Sequence, residues 1–172
     1  TEETGYIDSD SEYFNLINTA RIKNRTLKEE YDTDLYSDDL EYNFLEIIEK
    51  ELKNYKNSFK LRDYTDMIEE FILSNLCPTF DVVFIDEAQD LSPIQWKMYD
   101  LLKKNSKIVI LAGDDDQAIY GWAGADVKRF QDEPAKEKVL PKSYRVPIKI
   151  QRIAYTIISQ IETRIPKEWK PR

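Results

Sequence analysis

Along roughly the first 76 positions, apolar residues recur at steps of three and four, the spacing of helices with one buried face. Leu40, Phe44, Ile47, Ile48 and Leu52 predict a helix of about four turns. Tyr64, Met67, Ile68, Phe71 and Ile72 predict a second, with Asp63 or Arg62 near its start. Tyr13, Leu16, Ile17 and Ala20 predict a shorter helix that begins near Ser11, with the Ser11 hydroxyl as its N-cap. The segment holds one glycine, Gly5, and no proline, and no strand pattern interrupts it. It reads as a packing unit, not a chemical one.

From Cys77 the texture changes. Pro78 is expected to stop the preceding helix. Val82-Val83-Phe84-Ile85 is a short continuous apolar run, the pattern of a strand buried on both faces of a parallel sheet. Ser92-Pro93 has the form of an N-cap followed by proline at the first helical position, opening a helix through Leu102. Lys107 to Ala112 predicts a second strand closed by Gly113, and a short helix follows around Asp126 to Phe130. Lys138-Val139-Leu140 predicts a third, shorter strand. Pro147 opens a last helix with Ile150, Ile153, Ala154, Ile157 and Ile161 facing inward. Alternating strands and helices imply a doubly wound α/β fold, in which ligands bind beyond the carboxyl ends of the strands.

Composition narrows the chemistry. The 172 residues contain no histidine, which excludes His-based triads and His-rich zinc sites, and a single cysteine, Cys77, which excludes an internal disulfide framework. The lone thiol fits a reducing compartment, so a cytoplasmic, intracellular protein is expected. No apolar run approaches the roughly 20 residues of a membrane helix, and the acidic start TEETGYIDSD lacks a signal-peptide pattern. Net charge is −8, but its distribution is uneven. Val127 to Arg172 carries twelve Lys/Arg against five Asp/Glu, so a basic quarter follows an acidic body. Most such runs are solvated surface.

Two acidic clusters fall at expected strand ends. Asp86 and Glu87 directly follow the first apolar run, where a carboxylate can hold Mg²⁺ and its neighbour can take a proton from an attacking water. The alternative is a pair of solvated or helix-N-terminal charges. The second cluster, GDDDQAIYGWAGA, runs from Gly113 to Ala125 after the second strand. Within it, Gln117 could read a phosphate or the attacking water. Tyr120 and Trp122 sit in a glycine-bracketed loop, either as stacking platforms for single-stranded bases or packed on the helix below. A third segment, LPKSYR, puts Arg145 just before a helix start, where it could reach a γ-phosphate or be an ordinary surface residue.

Together these segments resemble the UvrD/Rep-type superfamily 1 DNA helicases. DEAQD, Asp86 to Asp90, resembles that family's motif II; Gly113 to Ala125 resembles motif III; LPKSYR, Leu140 to Arg145, resembles motif IV. The stretch from Asp63 to Ile68 resembles the helix that precedes motif II. The resemblance implies a partial RecA-like (P-loop NTPase) parallel sheet with flanking helices, plus an N-terminal helical subdomain. Residues 1–75 would belong to the inserted helical subdomain, 76–140 to the first RecA-like domain, and 141–172 to the start of the second. It further implies that the intact protein couples Mg-ATP hydrolysis to movement on single-stranded DNA, with ATP and Mg²⁺ as its cofactors. Asp86 would hold Mg²⁺, Glu87 would activate water, Gln117 would couple the γ-phosphate to the DNA side, and Arg145 would reach that phosphate. Tyr120 and Trp122 would stack on single-stranded DNA. Ala123 stands where the family often has arginine, so a contact made by that arginine is not expected here.

The sequence contains no G-x-x-x-x-G-K-[ST] phosphate loop among its four glycines. It therefore reads as a central piece of a helicase, with one side of its sheet uncovered, and is expected to be inactive alone. Two other classes stay open: a degenerate helicase domain that binds DNA or protein without hydrolysis, and a carboxylate-metal nuclease using Asp86, Glu87 and Asp114 to Asp116.

Overall fold

The structure is a computed structural model and describes residues 11–33 and 40–172; the acidic start TEETGYIDSD and Gly5 lie outside the described residues. Helices α1 (Glu12–Ile22), α2 (Leu27–Tyr31), α3 (Tyr42–Phe59) and α4 (Tyr64–Ser74) come first. Strand β1 (Phe80–Ile85), helix α5 (Pro93–Lys104) and strand β2 (Ser106–Leu111) then form one strand–helix–strand unit, followed by α6 (Val127–Gln131) and α7 (Ile148–Ile158).

The first helices form where their caps are. Ser11 occupies the N-cap position of α1, although its hydroxyl makes no capping bond. Thr26 caps α2 through a reciprocal pair with Glu29. Asp63 and Asp66 cap α4 in the same way, satisfying two amides that the helix cannot. Asn75 closes α4 in the left-handed conformation three residues before Pro78, so the asparagine, not the proline, ends the helix. Leu16, Ile17, Leu27, Leu40 and Leu45 form the core between α1, α2 and α3. The helical face expected of α3 is shifted. Leu45 is its buried residue, while Phe44 and Ile47 are about half exposed. Leu40 lies before the helix and enters the core from the preceding turn.

A polar network fastens α4 to this core. The Arg21 guanidinium binds Asp63 at 2.9 Å, Asp66 at 2.6 Å and Glu69 at 2.9 Å, and Lys56 of α3 binds Asp66 at 2.9 Å and also Asp63. Despite the cost of partial burial, Lys56, the Asp66 amide and Arg21 together hold the Asp63 carboxyl well below the usual range.

β1 and β2 pair in parallel, with Phe84 opposite Ile110 and Ile85 opposite Leu111. Their apolar runs have the pattern of strands buried on two faces, but one face is open, in line with the uncovered sheet side also expected. Val82, Phe84, Ile108 and Ile110 are 41–73% exposed, whereas the alternate residues Val83, Ile85, Val109 and Leu111 are half-buried. Among the described residues only one face is covered, with α5 packed beside β2 and α4 beside α5. Helix α5 starts as expected, with Pro93 in the first turn and Gln95 Oε1 accepting from the Ser92 N–H at 2.9 Å and the Ser92 hydroxyl at 3.0 Å. Its inward side chains, Ile94, Trp96 and Tyr99, are 2–4% exposed. Glu133 fixes α6 onto this helix, accepting from Tyr99 Oη at 2.7 Å and pairing with Lys103 and Arg129. Burial, with Glu133 beside it, pushes the Tyr99 hydroxyl up to about 12.

Two expectations for the C-terminal part fail. No strand forms over 138–140, where Val139 and Leu140 are exposed. The backbone pairing here is instead a single parallel bridge between Lys142 and Lys170, flanked by the Ser143 N–H to the Lys170 carbonyl at 2.9 Å. Nor does α7 turn its isoleucines inward. Ile150, Ile153, Ile157 and Ile161 are 42–64% exposed, and among the described residues the helix is tied near its start by the Gln151 Nε2 bond to the Trp169 carbonyl at 2.9 Å. Among the described residues no helix is long and apolar enough to cross a membrane.

Candidate functional site

The parallel ladder does not stop where the strands do. The Ala112 N–H donates to the Ile85 carbonyl at 2.8 Å, and the Ala88 N–H donates to the Ala112 carbonyl at 2.9 Å. Each strand therefore delivers its acidic segment to the same edge. Between those two bonds the chain turns sharply, and Glu87 takes φ 50°, ψ 43°. A non-glycine residue in the left-handed region costs of order 1 kcal/mol or more and persists only where neighbours hold it. The turn leaves Asp86 and Glu87 open to solvent while Ala88 and Gln89 are buried. The Glu87 N–H donates to Asp86 Oδ1 at 3.0 Å.

Gln89 joins the two strand ends. Its side chain is 1% exposed. Nε2 donates to Glu87 Oε2 at 2.8 Å and to Asp90 Oδ2 at 3.1 Å, and Oε1 accepts the Asp114 N–H at 3.0 Å. Asp114 in turn accepts from Gln117 Nε2 at 2.5 Å and from the Asp116 N–H at 3.2 Å. Gly113 makes the approach possible. A Cβ there would lie 2.7 Å from Gln89 Oε1 and 2.9 Å from the Phe130 ring. Gly113→Ala is thus expected to lower stability by about 1–3 kcal/mol, as overpacking does. Urea unfolding measures it, and an unchanged midpoint contradicts the tight fit.

The three aspartates after β2 face cations from the C-terminal segment. Arg164 grips Asp116 with two bonds, Nε to Oδ1 at 2.7 Å and Nη2 to Oδ2 at 2.6 Å. Lys167 Nζ lies 2.7 Å from Asp114 and 3.3 Å from Asp116, and it also pairs with Asp115. Asp115, with a side chain 1% exposed, accepts the Ile165 N–H at 2.7 Å and Gln131 Nε2 at 2.9 Å. Burial alone would raise the Asp115 carboxyl, but Lys167 and these donors outweigh it and hold it below the usual range. Asp116 is lowered chiefly by Arg164.

The other expected residues are less tightly placed. Tyr120 is 46% and Trp122 81% exposed, with ring centroids 6.4 Å apart at 53°, so the Trp122 ring is open to solvent and the Tyr120 ring is half-covered. Their loop is shaped by the Ala123 and Ala125 N–H groups on the Tyr120 carbonyl and by Gly124 at φ 97°. Arg145 is exposed, and its backbone N–H donates to Ser143 Oγ at 3.3 Å. Among the described residues, no hydrogen bond or ion pair joins its guanidinium to the strand ends.

Asp86, Glu87 and Gln117 are thus brought to one edge, and Arg145 is not tied to it. Arg164 and Lys167 were missed by sequence reasoning, and Gln89, as part of the motif II resemblance, was given only a supporting role. An amide flanked by carboxylates, and three consecutive aspartates ahead of a basic quarter, were the signals available. Among the described residues no group of three or more acidic, cysteine or histidine side chains could form an all-protein metal site. An open carboxylate such as Asp86 suits instead a Mg²⁺ ion that keeps most of its waters.

The fold and its edge define an α/β protein with a parallel strand pair that presents two acidic segments on neighbouring carboxyl ends. The chain belongs to the UvrD/REP helicase family, whose N-terminal domain matches residues 7–138. It is similar to DNA helicase II of Escherichia coli, 35% identical over 102 residues, an alignment covering 56% of this chain and 14% of that protein. It is also similar to the ATP-dependent DNA helicase PcrA of Leuconostoc citreum, 32% identical over 102 residues with the same shares covered. The PcrA of Staphylococcus epidermidis is 36% identical over 93 residues, covering 51% of this chain and 13% of that one. The chain thus spans about a seventh of the length of these relatives.

Proposed function

We propose that this chain is the central part of an ATP-dependent DNA helicase, in which hydrolysis of Mg-ATP drives movement on single-stranded DNA. What supports this is the pairing of β1 with β2, which sets Asp86-Glu87 beside Asp114 to Gln117 at the end of a parallel sheet where phosphate ligands bind. On this reading β1, α5 and β2 belong to a first RecA-like domain over 76–140, residues 1–75 to a helical subdomain inserted in it, and 141–172 to the start of a second.

The roles follow from each group's chemistry. Asp86 would hold Mg²⁺, which when bound neutralises phosphate charge and orients the phosphates. Glu87, turned outward by its left-handed backbone, would take the proton of the attacking water. Gln117 would sense the γ-phosphate through an amide aligned by Asp114, and Arg145 would approach it from the second domain. No residue in the sequence supplies a phosphate loop, so the 172-residue chain alone is expected to turn over no ATP.

Tyr120 and Trp122 would face the DNA. Exposed rings in a glycine-bracketed loop present stacking faces to bases without sequence preference, each worth about 1–3 kcal/mol. Trp122→Ala in the intact protein is expected to weaken binding of a single-stranded oligonucleotide about tenfold or more. Fluorescence anisotropy with a labelled oligonucleotide measures it. Unchanged affinity in both Trp122→Ala and Tyr120→Ala would remove the loop from the DNA interface.

A further inference from the structure

We propose that Gln89 is a positioning residue that couples the water-activating carboxylate Glu87 to the phosphate-sensing Gln117; this rests on the helicase reading above. The amide lies between two acidic segments and, among the described residues, is the one side chain that hydrogen-bonds to both. Through Nε2 it orients Glu87 Oε2 and Asp90 Oδ2, and through Oε1 it takes the Asp114 N–H. Asp114 Oδ2 then receives Gln117 Nε2. Glu87 and Gln117 are therefore joined by a path of hydrogen bonds that runs through the buried Gln89 side chain and then through the backbone N–H and carboxylate of Asp114.

The chemistry of the path allows one orientation. Carboxylates accept only, and a backbone N–H donates only. A flipped Gln89 amide would set its oxygen against two carboxylates and its NH₂ against the Asp114 N–H, losing all three bonds. So a shift of the loop that carries Gln117 is felt at Glu87 through a buried group whose direction is fixed. Gly113 fits the same design, since it leaves room for Gln89 Oε1 to reach the loop.

A buried glutamine could instead merely fill space, and the two roles separate experimentally. In the intact helicase, Gln89→Ala is expected to lower kcat for ATP by about 10²-fold, the scale of a misplaced catalytic group, with KM for ATP nearly unchanged. Gln89→Glu supplies a second test that survives a folding defect in the alanine variant. It places a third carboxylate against Glu87 and Asp90 from its own turn and against Asp114, which Lys167 also faces. Repulsion raises the new carboxyl's proton affinity, and once protonated it can donate to Glu87 while its other oxygen accepts the Asp114 N–H. Its kcat relative to the unmodified helicase is therefore expected to rise as pH falls from 8 to 6.

A kcat within twofold of the unmodified protein in Gln89→Ala overturns the inference while leaving the helicase reading intact. So does a Gln89→Glu deficit that is the same at every pH. An unmodified intact protein with no Mg-ATP turnover overturns the helicase reading itself, and the inference falls with it.

Discussion

Replacing Glu87 with glutamine is expected to lower ATP turnover by the intact protein by about 10²- to 10⁴-fold, the usual contribution of a general base. The substitution keeps shape and hydrogen-bond acceptance, so Gln89 Nε2 can still donate to the remaining oxygen. What it removes is the ability to take a proton from water. The outward turn at Glu87 is set by bonds from Ala88 to Ala112 and from Ala112 to Ile85, none of which involves the Glu87 side chain. Nucleotide affinity is therefore expected to hold while kcat falls, and steady-state kinetics separate the two. A loss confined to KM would mean that Glu87 binds nucleotide and does not activate water.

The second large effect is structural. Lys167→Met removes the cation shared by Asp114, Asp115 and Asp116, and leaves the buried Asp115 carboxylate with only Gln131 Nε2 and the Ile165 N–H. Breaking a buried ion pair from one side costs about 3–5 kcal/mol. Arg164 stays on Asp116, so about 3 kcal/mol is expected here, or a melting temperature lower by about 6–12 °C at this chain length. An unchanged melting temperature would show the cluster to be loosely solvated.

The same cluster sets a pH window. The folded carboxyls of Asp115 and Asp116 lie below their ordinary 3.8, so the stability they add is present above that pH and is lost as pH falls through the folded values. Lys167 is shifted the other way. Burial opposes its charge, but Asp114 and Asp115 raise it above 10.5, so its contribution is present below that pH and is lost above it. Between those limits Lys167→Met is expected to cost the same at every pH.

Local signals in the sequence were enough for most elements. Asp63 with Asp66, and Ser92 with Pro93, mark helix starts because a cap is a contact within four residues. The pairing of two apolar runs as a parallel sheet was legible for a similar reason, since a helix of the right length separates them. What failed depends on distant neighbours. Val139 and Leu140 have strand character, but no strand lies beside them, and the isoleucines of α7 have helical spacing with no covering surface.

The site divides in the same way. The placement of Asp86, Glu87 and Gln117 beyond the strand ends was legible because that position follows from topology. Lys167 and Arg164 meet the aspartates across 52 and 48 residues, and nothing local in either segment names its partner. Gln89 was read as a supporting residue because its burial between two acidic segments exists only once Gly113 brings β2's loop against it.

On the proposed reading, this chain would supply the water-activating edge of a DNA-dependent ATP hydrolase but no phosphate loop. The direct measurement is phosphate release from Mg-ATP, with and without single-stranded DNA, by the intact protein and by the 172-residue chain side by side. The expected result is turnover stimulated by DNA in the intact protein and none in the chain alone. Mg²⁺-dependent turnover by the isolated chain, or an intact protein that releases no phosphate with DNA present, would contradict the account.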